Sequence, residues 1–341
     1  MQRNCGLSSL ESASSAIFFN DELPGQRKMK DFDANFGPTT RIAFGCIYMG
    51  LVLVSLPIYG TIVWIFNTRP TFRRNPCYRI MSAIGLCDFV YLLGQFGVGY
   101  GVAVGLQFSD IVERILFSIP NAGFNGSIIL IMLLALNRFC VLTNYIRPRN
   151  YVYTIAILLC WLYALAIFLL FAIYGDGIQL NQQFMLTVFN KEHEYVRNFY
   201  LFSVIISPVA FGTSLVIYIF IAIYLIFKRK QIRTRISNQE VNYRTEIKIL
   251  IQGVLMFACG GFINVNAMYG QTIFPRSYLY TGSLNSFLIF HSGLFYPIVY
   301  LSLNSDLRKA LRQSFSTNSK ESVVHVSTVP FSLEQRSTMH R

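Results

Sequence analysis

Some ionisable side chains of this sequence lie within long apolar stretches or close them, where a charge is energetically costly and therefore informative. Asp88 is a lone carboxylate, Arg138 closes an apolar run in the string LLALNRFCVLTNY, and His291 is a lone imidazole. An enzyme that works inside a membrane needs several His, Asp or Glu side chains gathered around a metal or a water molecule. These three residues occupy different stretches, so the sequence predicts no enzyme and no cofactor.

The sequence also gives little indication of a metal site or of redox-active cysteines. His193 stands between Glu192 and Glu194, but no second His or Cys lies nearby, so a solvated loop is a better interpretation than a metal site. The seven cysteines show no CxxC spacing, and no pair is placed for an extracellular disulfide. We expect them to be small, buried, apolar side chains.

The composition identifies the class of protein that must position these residues. Of 341 residues, 53% are hydrophobic and 13% are charged, whereas a soluble domain carries about twice that charged fraction. The chain is therefore an integral membrane protein. Its net charge of +13 would favour a nucleic-acid partner in a soluble protein. Here the basic residues lie in loops between apolar stretches, and no nucleic acid is expected.

Seven apolar stretches are long enough to cross about 30 Å of hydrocarbon as helices. We call them spans one to seven, and they cover residues 42–66, 77–104, 111–142, 151–174, 199–227, 247–270 and 278–303. The sequence thus predicts an all-α membrane protein, a seven-transmembrane helix bundle over residues 42–303. We expect a flexible tail at residues 1–41 and a disordered tail at residues 316–341. No secretory signal peptide is visible at the amino end.

A short amphipathic helix is predicted directly after span seven, at residues 304–315. Leu307, Leu311 and Phe315 recur at four-residue spacing, and basic residues occupy the other face. That pattern is typical of a helix that lies on a membrane surface.

The basic loops also predict the orientation. Loops after spans one, three and five are rich in Arg and Lys, whereas those after spans two, four and six are not. The amino end is then extracellular and the carboxyl end cytoplasmic. We expect anionic membrane lipids and a cytoplasmic partner to contact Lys228, Arg229, Lys230, Arg308, Lys309 and Arg312.

Several strings resemble one family of membrane receptors. NPCYRIM at residues 75–81, LALNRF at residues 134–139 and YPIVYLSLNSDLRKAL at residues 296–311 are similar to those of rhodopsin-like G-protein-coupled receptors. More narrowly, they look like the nematode serpentine chemoreceptors of class T. The resemblance covers residues 41–315. It implies a plasma-membrane receptor, with the sensory cilium as one candidate location, that transmits binding of an extracellular small molecule to a heterotrimeric G protein.

The resemblance also implies roles for individual residues. Arg138, with Phe139 beside it, matches the family arginine that meets the G protein when the helices open. Asp88 matches the buried acid of span two, for which Ser127, Ser292 and Asn285 are candidate neighbours by depth. Pro297 and Tyr300 match the switch motif of span seven. A simpler interpretation of Arg138 is an anchor that snorkels to the membrane surface.

The sequence departs from the wider superfamily at several of these positions. Asn137 replaces the usual acid before the arginine, so it cannot hold Arg138 in an ion pair. Tyr296 stands before Pro297, where the superfamily has Asn. Span six has no proline and no tryptophan, and the disulfide from span three to the second outer loop is absent. Span seven has no lysine, which excludes retinal attached through a Schiff base.

Polar and aromatic residues in the outer halves of the spans are candidates for the ligand pocket. For any single one of them, ordinary interhelical hydrogen bonding and packing is the better interpretation. The candidates are Asn121, Phe124, Asn125, Tyr200, Asn264, Asn266, Tyr269 and Tyr280.

Two other membrane functions can be compared with a receptor. A seven-span, ligand-gated cation channel of the odorant-receptor type would place the amino end inside, which the basic loops oppose. A transporter would favour internal repeats, and none is visible.

Overall fold

The computed structural model describes residues 38–105, 109–143, 148–174, 178–181, 185–189, 193–232, 240–273 and 278–315. This part of the chain is almost entirely helical, as predicted. The predicted tails at residues 1–41 and 316–341 lie outside the described residues, except that residues 38–41 are helical and begin span one. Parts of the loops also lie outside the described residues.

Seven helical spans form the bundle. Within the described ranges, six helices are long and apolar enough to cross a membrane, and span six contains a shorter apolar segment, Ile251–Ala267. This arrangement confirms the seven-helix bundle that the sequence predicted. The spans are Pro38–Thr68, Pro76–Val104, Asp110–Thr143, Asn150–Tyr174, Glu194–Ile232, Glu240–Ile273, and Tyr278–Phe290 continued to Leu303.

Span two lies at the centre of the packing and makes its largest contacts with spans one and three. Small residues let the backbones approach closely. Gly94 lies against the ring of Pro120, and a Cβ atom on Gly123 would lie 2.7 Å from the carbonyl oxygen of Cys87. Spans two and three are therefore locked at close range, and Asp88 lies next to this contact in span two.

Span seven is not one continuous α-helix. A π-helical turn, His291–Phe295, separates Tyr278–Phe290 from the final helix, Tyr296–Leu303. The sequence predicted a bend at Pro297 but not this wider turn. Proline cannot donate the usual backbone hydrogen bond, and its ring clashes with the carbonyl four residues earlier. A wider turn relieves that conflict, and such turns are frequent at functional sites.

The loop between spans four and five contains a small β-hairpin, where the sequence predicted only a polar loop over residues 175–198. Strands β1 (Ile178–Asn181) and β2 (Leu186–Phe189) pair antiparallel, with Ile178 opposite Phe189. Met185 precedes β2 with a positive φ of 52° and is fully buried. The hydroxyl of Tyr48 in span one is shared between the carbonyl oxygens of Met185 (3.2 Å) and Gly282 (3.1 Å). The hairpin is thereby tied to spans one and seven.

The amphipathic helix after span seven spans Ser305–Phe315, as predicted. Asn304 caps it, since its Oδ1 accepts hydrogen bonds from the backbone N–H groups of Asp306 and Leu307, both at 3.1 Å. Its Nδ2 donates to the hydroxyl of Tyr78 at 2.8 Å. Leu307 is fully buried against the bundle. The helix is therefore fixed to the inner end of span two.

Candidate functional site

The carboxylate of Asp88 is buried in the bundle core with a single strong partner. Its side chain is 1% exposed, and the hydroxyl of Tyr59 in span one donates to its Oδ2 at 2.7 Å. Ser127 in span three also lies within hydrogen-bonding range. Asn285, a suggested neighbour, instead donates from Nδ2 to Oε1 of Gln95 at 3.4 Å. Asp88 thus links span two to spans one and three.

A column of aromatic rings extends from this carboxylate towards the inner end of the bundle. Tyr296 and Tyr300 are fully buried, and their ring centroids lie 6.4 Å apart. His291 packs edge-on against Tyr296 at 4.7 Å. The hydroxyl of Tyr300 has no hydrogen-bond partner among the described residues. Pro297 is also buried, so the residues assigned to the switch face the bundle interior.

Arg138 points into the inner end of the bundle rather than out to the membrane surface. The side chain is half-buried, and its Nη2 lies 4.0 Å from the sulfur of Met81 in span two. Nε2 of Gln252 in span six approaches the same sulfur, also at 4.0 Å. Sulfur is a weak acceptor, so both contacts are soft. In the part of the chain whose side chains are described, no carboxylate forms an ion pair with Arg138.

Four further side chains lie close enough to Arg138 to interact with its charge: Cys77, Tyr78, Tyr218 and Tyr300. They come from spans two, five and seven. The guanidinium therefore lies where five spans converge, counting span three and Gln252 of span six. This arrangement differs from the snorkelling interpretation, since a snorkelling side chain would extend away from the bundle.

The residues on either side of Arg138 face different spans. Asn137 is fully buried, and its polar neighbour is the hydroxyl of Tyr153 in span four. The two groups lie in range of each other but outside good hydrogen-bond geometry. Phe139 packs against a cluster in span five that includes Tyr218 and Ile221. Asn137 therefore does not hold Arg138, and Phe139 is a packing residue in this conformation.

The side chains predicted for the ligand pocket separate into three groups. Nδ2 of Asn125 donates to the backbone oxygen (2.9 Å) and Oδ1 (3.0 Å) of Asn121 within span three. The hydroxyl of Tyr280 donates to the backbone oxygen of Asn266 at 3.0 Å. Phe124 and Asn264 line a common cavity. The side chains of Tyr200 and Tyr269 lie outside the described residues.

The common cavity sits between spans three, five, six and seven. Its lining includes Ser127, His291, Ser292 and Tyr296 beside the two predicted residues. Its volume is about 20 Å³, enough for about one water molecule. Nε2 of His291 is buried and has no hydrogen-bond partner in the described part of the chain. This cavity would have to expand before it could admit a small organic ligand.

The basic residues assigned to partner contacts differ in whether their side chains already form hydrogen bonds within the chain. Nη1 of Arg308 donates to the carbonyl oxygens of Leu301 (2.6 Å) and Ser302 (2.7 Å), so it caps the end of span seven. Lys309 and Arg312 are exposed. Lys228, Arg229 and Lys230 lie in the helix of span five, but their side chains are outside the described residues.

Sequence reasoning missed the partners of both charges. Tyr59, Met81 and Gln252 are unremarkable in the sequence, because a tyrosine, a methionine or a glutamine in an apolar run signals no particular contact. Depth offered one clue. Counted from the outer ends of the predicted spans, Tyr59 and Asp88 both lie about 25 Å into the membrane at 1.5 Å per residue.

Comparison with known proteins identifies the family. The family model described as serpentine type 7TM GPCR chemoreceptor Srt matches residues 30–323, which is most of the chain. No curated protein matches it. The crystal structure of squid rhodopsin superposes with a TM-score of 0.67 over 82% of this chain and 86% of that one, at 13% sequence identity, a likeness that shows the fold alone. The chain therefore belongs to the Srt family of serpentine seven-transmembrane chemoreceptors, and it has the fold of a rhodopsin-like G-protein-coupled receptor.

Proposed function

We propose that this chemoreceptor binds an extracellular small molecule and transmits that binding to a heterotrimeric G protein through Arg138. The position of Arg138 carries the proposal. It is a permanently charged guanidinium, half-buried where five spans converge, with a sulfur atom as its hydrogen-bonding partner. Because this contact is weak, the guanidinium can exchange it for hydrogen bonds to stronger acceptors at a small cost in free energy.

The contact at Met81 suggests how the inner end would open. Its sulfur accepts from Arg138 of span three and from Gln252 of span six. If the inner end of span six moves outwards, Gln252 leaves and space opens beside the guanidinium. The planar donor fork of Arg138 can then bind backbone carbonyls at the end of an inserted partner helix. Pro297 and the π-helical turn give span seven a place to bend in the same transition.

We place the ligand at the outer half of the bundle, next to the small cavity. Phe124 and Asn264 line that cavity, and Asn121, Asn125, Asn266, Tyr280, Tyr200 and Tyr269 belong to the same outer region. Aromatic surface with a few amide groups suits a small, mostly apolar molecule that has one or two hydrogen-bonding groups. Expansion of the cavity would press directly on His291 and Tyr296 in span seven.

The proposed orientation has the amino end outside and the carboxyl end in the cytoplasm. Exposed arginines at positions 73, 74 and 149 lie in the loops after spans one and three, and Lys309 and Arg312 follow span seven. All belong to the same end of the bundle, as the distribution of basic loop residues requires. Epitope tags at the two termini of intact cells would test it. The amino tag should bind antibody without permeabilisation, and antibody access to the carboxyl tag alone would contradict the orientation.

The coupling experiment uses the full chain in reporter cells that express a panel of chimeric G proteins. Basal signalling and responses to a small-molecule library are measured together with surface expression. Wild-type chain should signal above untransfected cells through at least one G protein. A membrane current that persists when G proteins are blocked with a non-hydrolysable GDP analogue would instead favour a ligand-gated channel. Signalling unaffected by loss of Arg138 would contradict the route proposed here.

A further inference from the structure

A group of arginines at the inner end of spans one and two surrounds a surface depression whose lining does not include Arg138. The short helix Pro70–Arg73 follows span one, and span two begins at Pro76. The depression between them has a volume of about 520 Å³ and is lined by Pro70, Arg73, Arg74 and Arg79. We call these three basic residues the arginine triad.

The arginine triad concentrates positive charge that no described carboxylate balances. Arg73 and Arg74 are exposed, and Arg79 is half-buried. At this end of the bundle the described carboxylate is Asp306, and it forms no ion pair with the triad. Three like charges around one depression repel each other, and binding an anion removes that repulsion. The depression therefore has the electrostatic character of an anion site.

The arginine triad is held on a rigid base rather than on a loose loop. Phe72, between Pro70 and Arg73, is buried and packs against Tyr78 and Phe66, with ring centroids at 4.8 and 5.7 Å. Asn75 caps span two by accepting a hydrogen bond from the backbone N–H of Cys77 at 3.0 Å. Because the backbone is already fixed, a ligand loses less affinity to the cost of ordering the site.

Arg79 is further positioned by span four. Its Nη2 donates to Oγ1 of Thr154 at 2.8 Å, which uses one of the five N–H donors of the guanidinium. The remaining donors of Arg79, with those of Arg73 and Arg74, can form the paired hydrogen bonds that arginine makes with phosphate oxygens. A ligand with more than one phosphate could contact all three residues.

We propose that the arginine triad binds the phosphorylated headgroup of an anionic lipid, with a headgroup that carries several phosphates as the preferred ligand. This inference rests on the proposed orientation, which places the triad in the cytoplasmic leaflet. The location favours a lipid over a soluble phosphate, since Arg79 lies in the first turn of a membrane span and the depression opens at headgroup depth. The bound headgroup would link the short helix after span one to span two without contacting Arg138.

The test measures binding of the purified full chain in nanodiscs to phosphatidylinositol 4,5-bisphosphate in a phosphatidylcholine background. The variant Arg73→Gln/Arg74→Gln/Arg79→Gln removes the triad. The control, Arg149→Gln, removes one positive charge from an exposed residue at the same end, and the single variant Arg79→Gln is its charge-matched counterpart within the triad. We expect at least a tenfold loss of affinity in the triad variant and no more than about a twofold loss in the control, with a larger loss in Arg79→Gln than in Arg149→Gln. Equal losses in these two single variants would show non-specific charge attraction and would overturn the site.

Two further experiments complete the test. One separates the contribution of hydrogen-bond geometry from that of charge, and the other separates a lipid ligand from a soluble phosphate. A triple Arg→Lys variant keeps the charge but lacks the planar fork, so it should fall between wild type and the Gln variant; full affinity in that variant would overturn the proposed paired hydrogen bonds. Soluble inositol 1,4,5-trisphosphate should compete at least tenfold more weakly than the lipid. Competition at equal strength would assign the site to a free phosphate and overturn the lipid.

G-protein signalling and surface expression of the triad variant can be measured separately from its lipid binding. Basal G-protein signalling depends on Arg138 in the proposed function, so a triad variant that loses lipid but keeps signalling supports the site and leaves the receptor proposal standing. Surface expression of the triad variant should stay near wild type because Arg73 and Arg74 are exposed. The single variant Thr154→Val tests the positioning of Arg79 and should lower lipid affinity two- to threefold; an unchanged affinity would remove Thr154 from the site.

Discussion

Asp88 and Arg138 are charged residues that face the bundle interior, and they are held in opposite ways. Asp88 is 1% exposed and receives a 2.7 Å hydrogen bond from Tyr59, a short and strong contact. Arg138 is half-buried and reaches only the sulfur of Met81, at 4.0 Å. One charge is fixed in the core and the other is loosely held at its inner end.

The difference in hydrogen bonding indicates which of the two side chains can move. Breaking the Tyr59 contact would leave a carboxylate oxygen buried without a donor, which costs about 1–3 kcal/mol or more. Moving Arg138 breaks only a weak contact with sulfur. We therefore expect Asp88 to define the resting packing of spans one, two and three, and Arg138 to carry the change that a partner detects.

The largest effect should follow from loss of the loosely held charge. Arg138→Ala should reach the cell surface but lose about 10- to 100-fold in G-protein activation, because hydrogen bonds to a charged donor contribute about 1.5–3 kcal/mol. Arg138→Lys keeps the charge without the fork and should be intermediate. The measurement is basal and library-evoked signalling, normalised to surface expression.

The exposed Arg149 supplies the matched control for that experiment. Arg149→Ala removes one positive charge from the adjacent loop and should leave activation within about twofold of wild type. Full activation by Arg138→Ala would return Arg138 to the role of a membrane anchor.

Neutralising the fixed charge should alter signalling more than expression. Asp88→Asn keeps the shape and an oxygen acceptor for Tyr59 but removes the charge, so the fold should persist while basal and evoked signalling both shift several-fold. Asp306→Asn, an exposed carboxylate at the inner end, is the control. Identical dose–response behaviour in wild type and Asp88→Asn would mean that the charge of Asp88 has no part in switching.

Removing the donor to Asp88 should lower stability. Tyr59→Phe leaves the carboxylate without its 2.7 Å partner, and we expect a cost of about 1–3 kcal/mol, measured by thermal unfolding of the purified receptor. Tyr163→Phe is the matched control, because its hydroxyl has no hydrogen-bond partner among the described residues. Equal melting temperatures for the two variants would show that the Tyr59 contact contributes nothing.

A carboxylate placed next to Arg138 should hold its guanidinium more firmly, as Tyr59 holds Asp88. Asn137→Asp introduces a negative charge one residue from Arg138. Because position 137 is fully buried and faces Tyr153, we expect attraction through space rather than a direct ion pair, on the order of 1 kcal/mol. Basal signalling should therefore fall by up to about fivefold. An increase in basal signalling would indicate that burial of the new charge near Tyr153 disrupts spans three and four instead.

The smallest effect should come from the sulfur itself. Met81→Leu conserves volume, which usually costs less than about 1.5 kcal/mol, but removes the acceptor shared by Arg138 and Gln252. We expect unchanged expression and a rise in basal signalling of about two- to threefold. Leu86→Met, at an exposed position of the same span, controls for the exchange of leucine and methionine. Lower basal activity in Met81→Leu would contradict a holding role for the sulfur.

Much of the fold follows directly from the sequence, because a membrane restricts what the chain can do. A span needs enough apolar residues to cross hydrocarbon, and its backbone must satisfy its own hydrogen bonds. The seven spans and the amphipathic helix at Leu307 were predictable on those grounds. The hairpin was not, since its strands have only four residues each and their pairing depends on contacts with Tyr48 and span seven.

The site was less predictable because it depends on how the helices are rotated about their axes. Asp88 and Arg138 stand out in an apolar sequence, but the residues opposite them do not. Tyr59 meets Asp88, and Met81 meets Arg138, in spans that approach closely at glycines. Gly85 of span two lies against Tyr59 and Val63 of span one, and Gly123 of span three lies against Cys87 of span two. Likewise, Pro297 predicted a bend, but nothing in the sequence indicated that Gly293 of the π-helical turn would lie against Ser55 of span one.

The shared hydroxyl of Tyr48 also constrains the order in which the molecule is assembled. Span one emerges first from the ribosome, yet Tyr48 meets a carbonyl 137 residues later and another 234 residues later. The outer end therefore cannot close until span seven has inserted. Cysteines placed at positions 44 and 282, where the ring of Phe44 lies against Gly282, should be joined by a short bifunctional thiol reagent in the released chain. They should not be joined in a full-length nascent chain whose span seven is still inside the ribosome. Crosslinks that form only after release from the ribosome would show that insertion of span seven completes the outer face of the receptor.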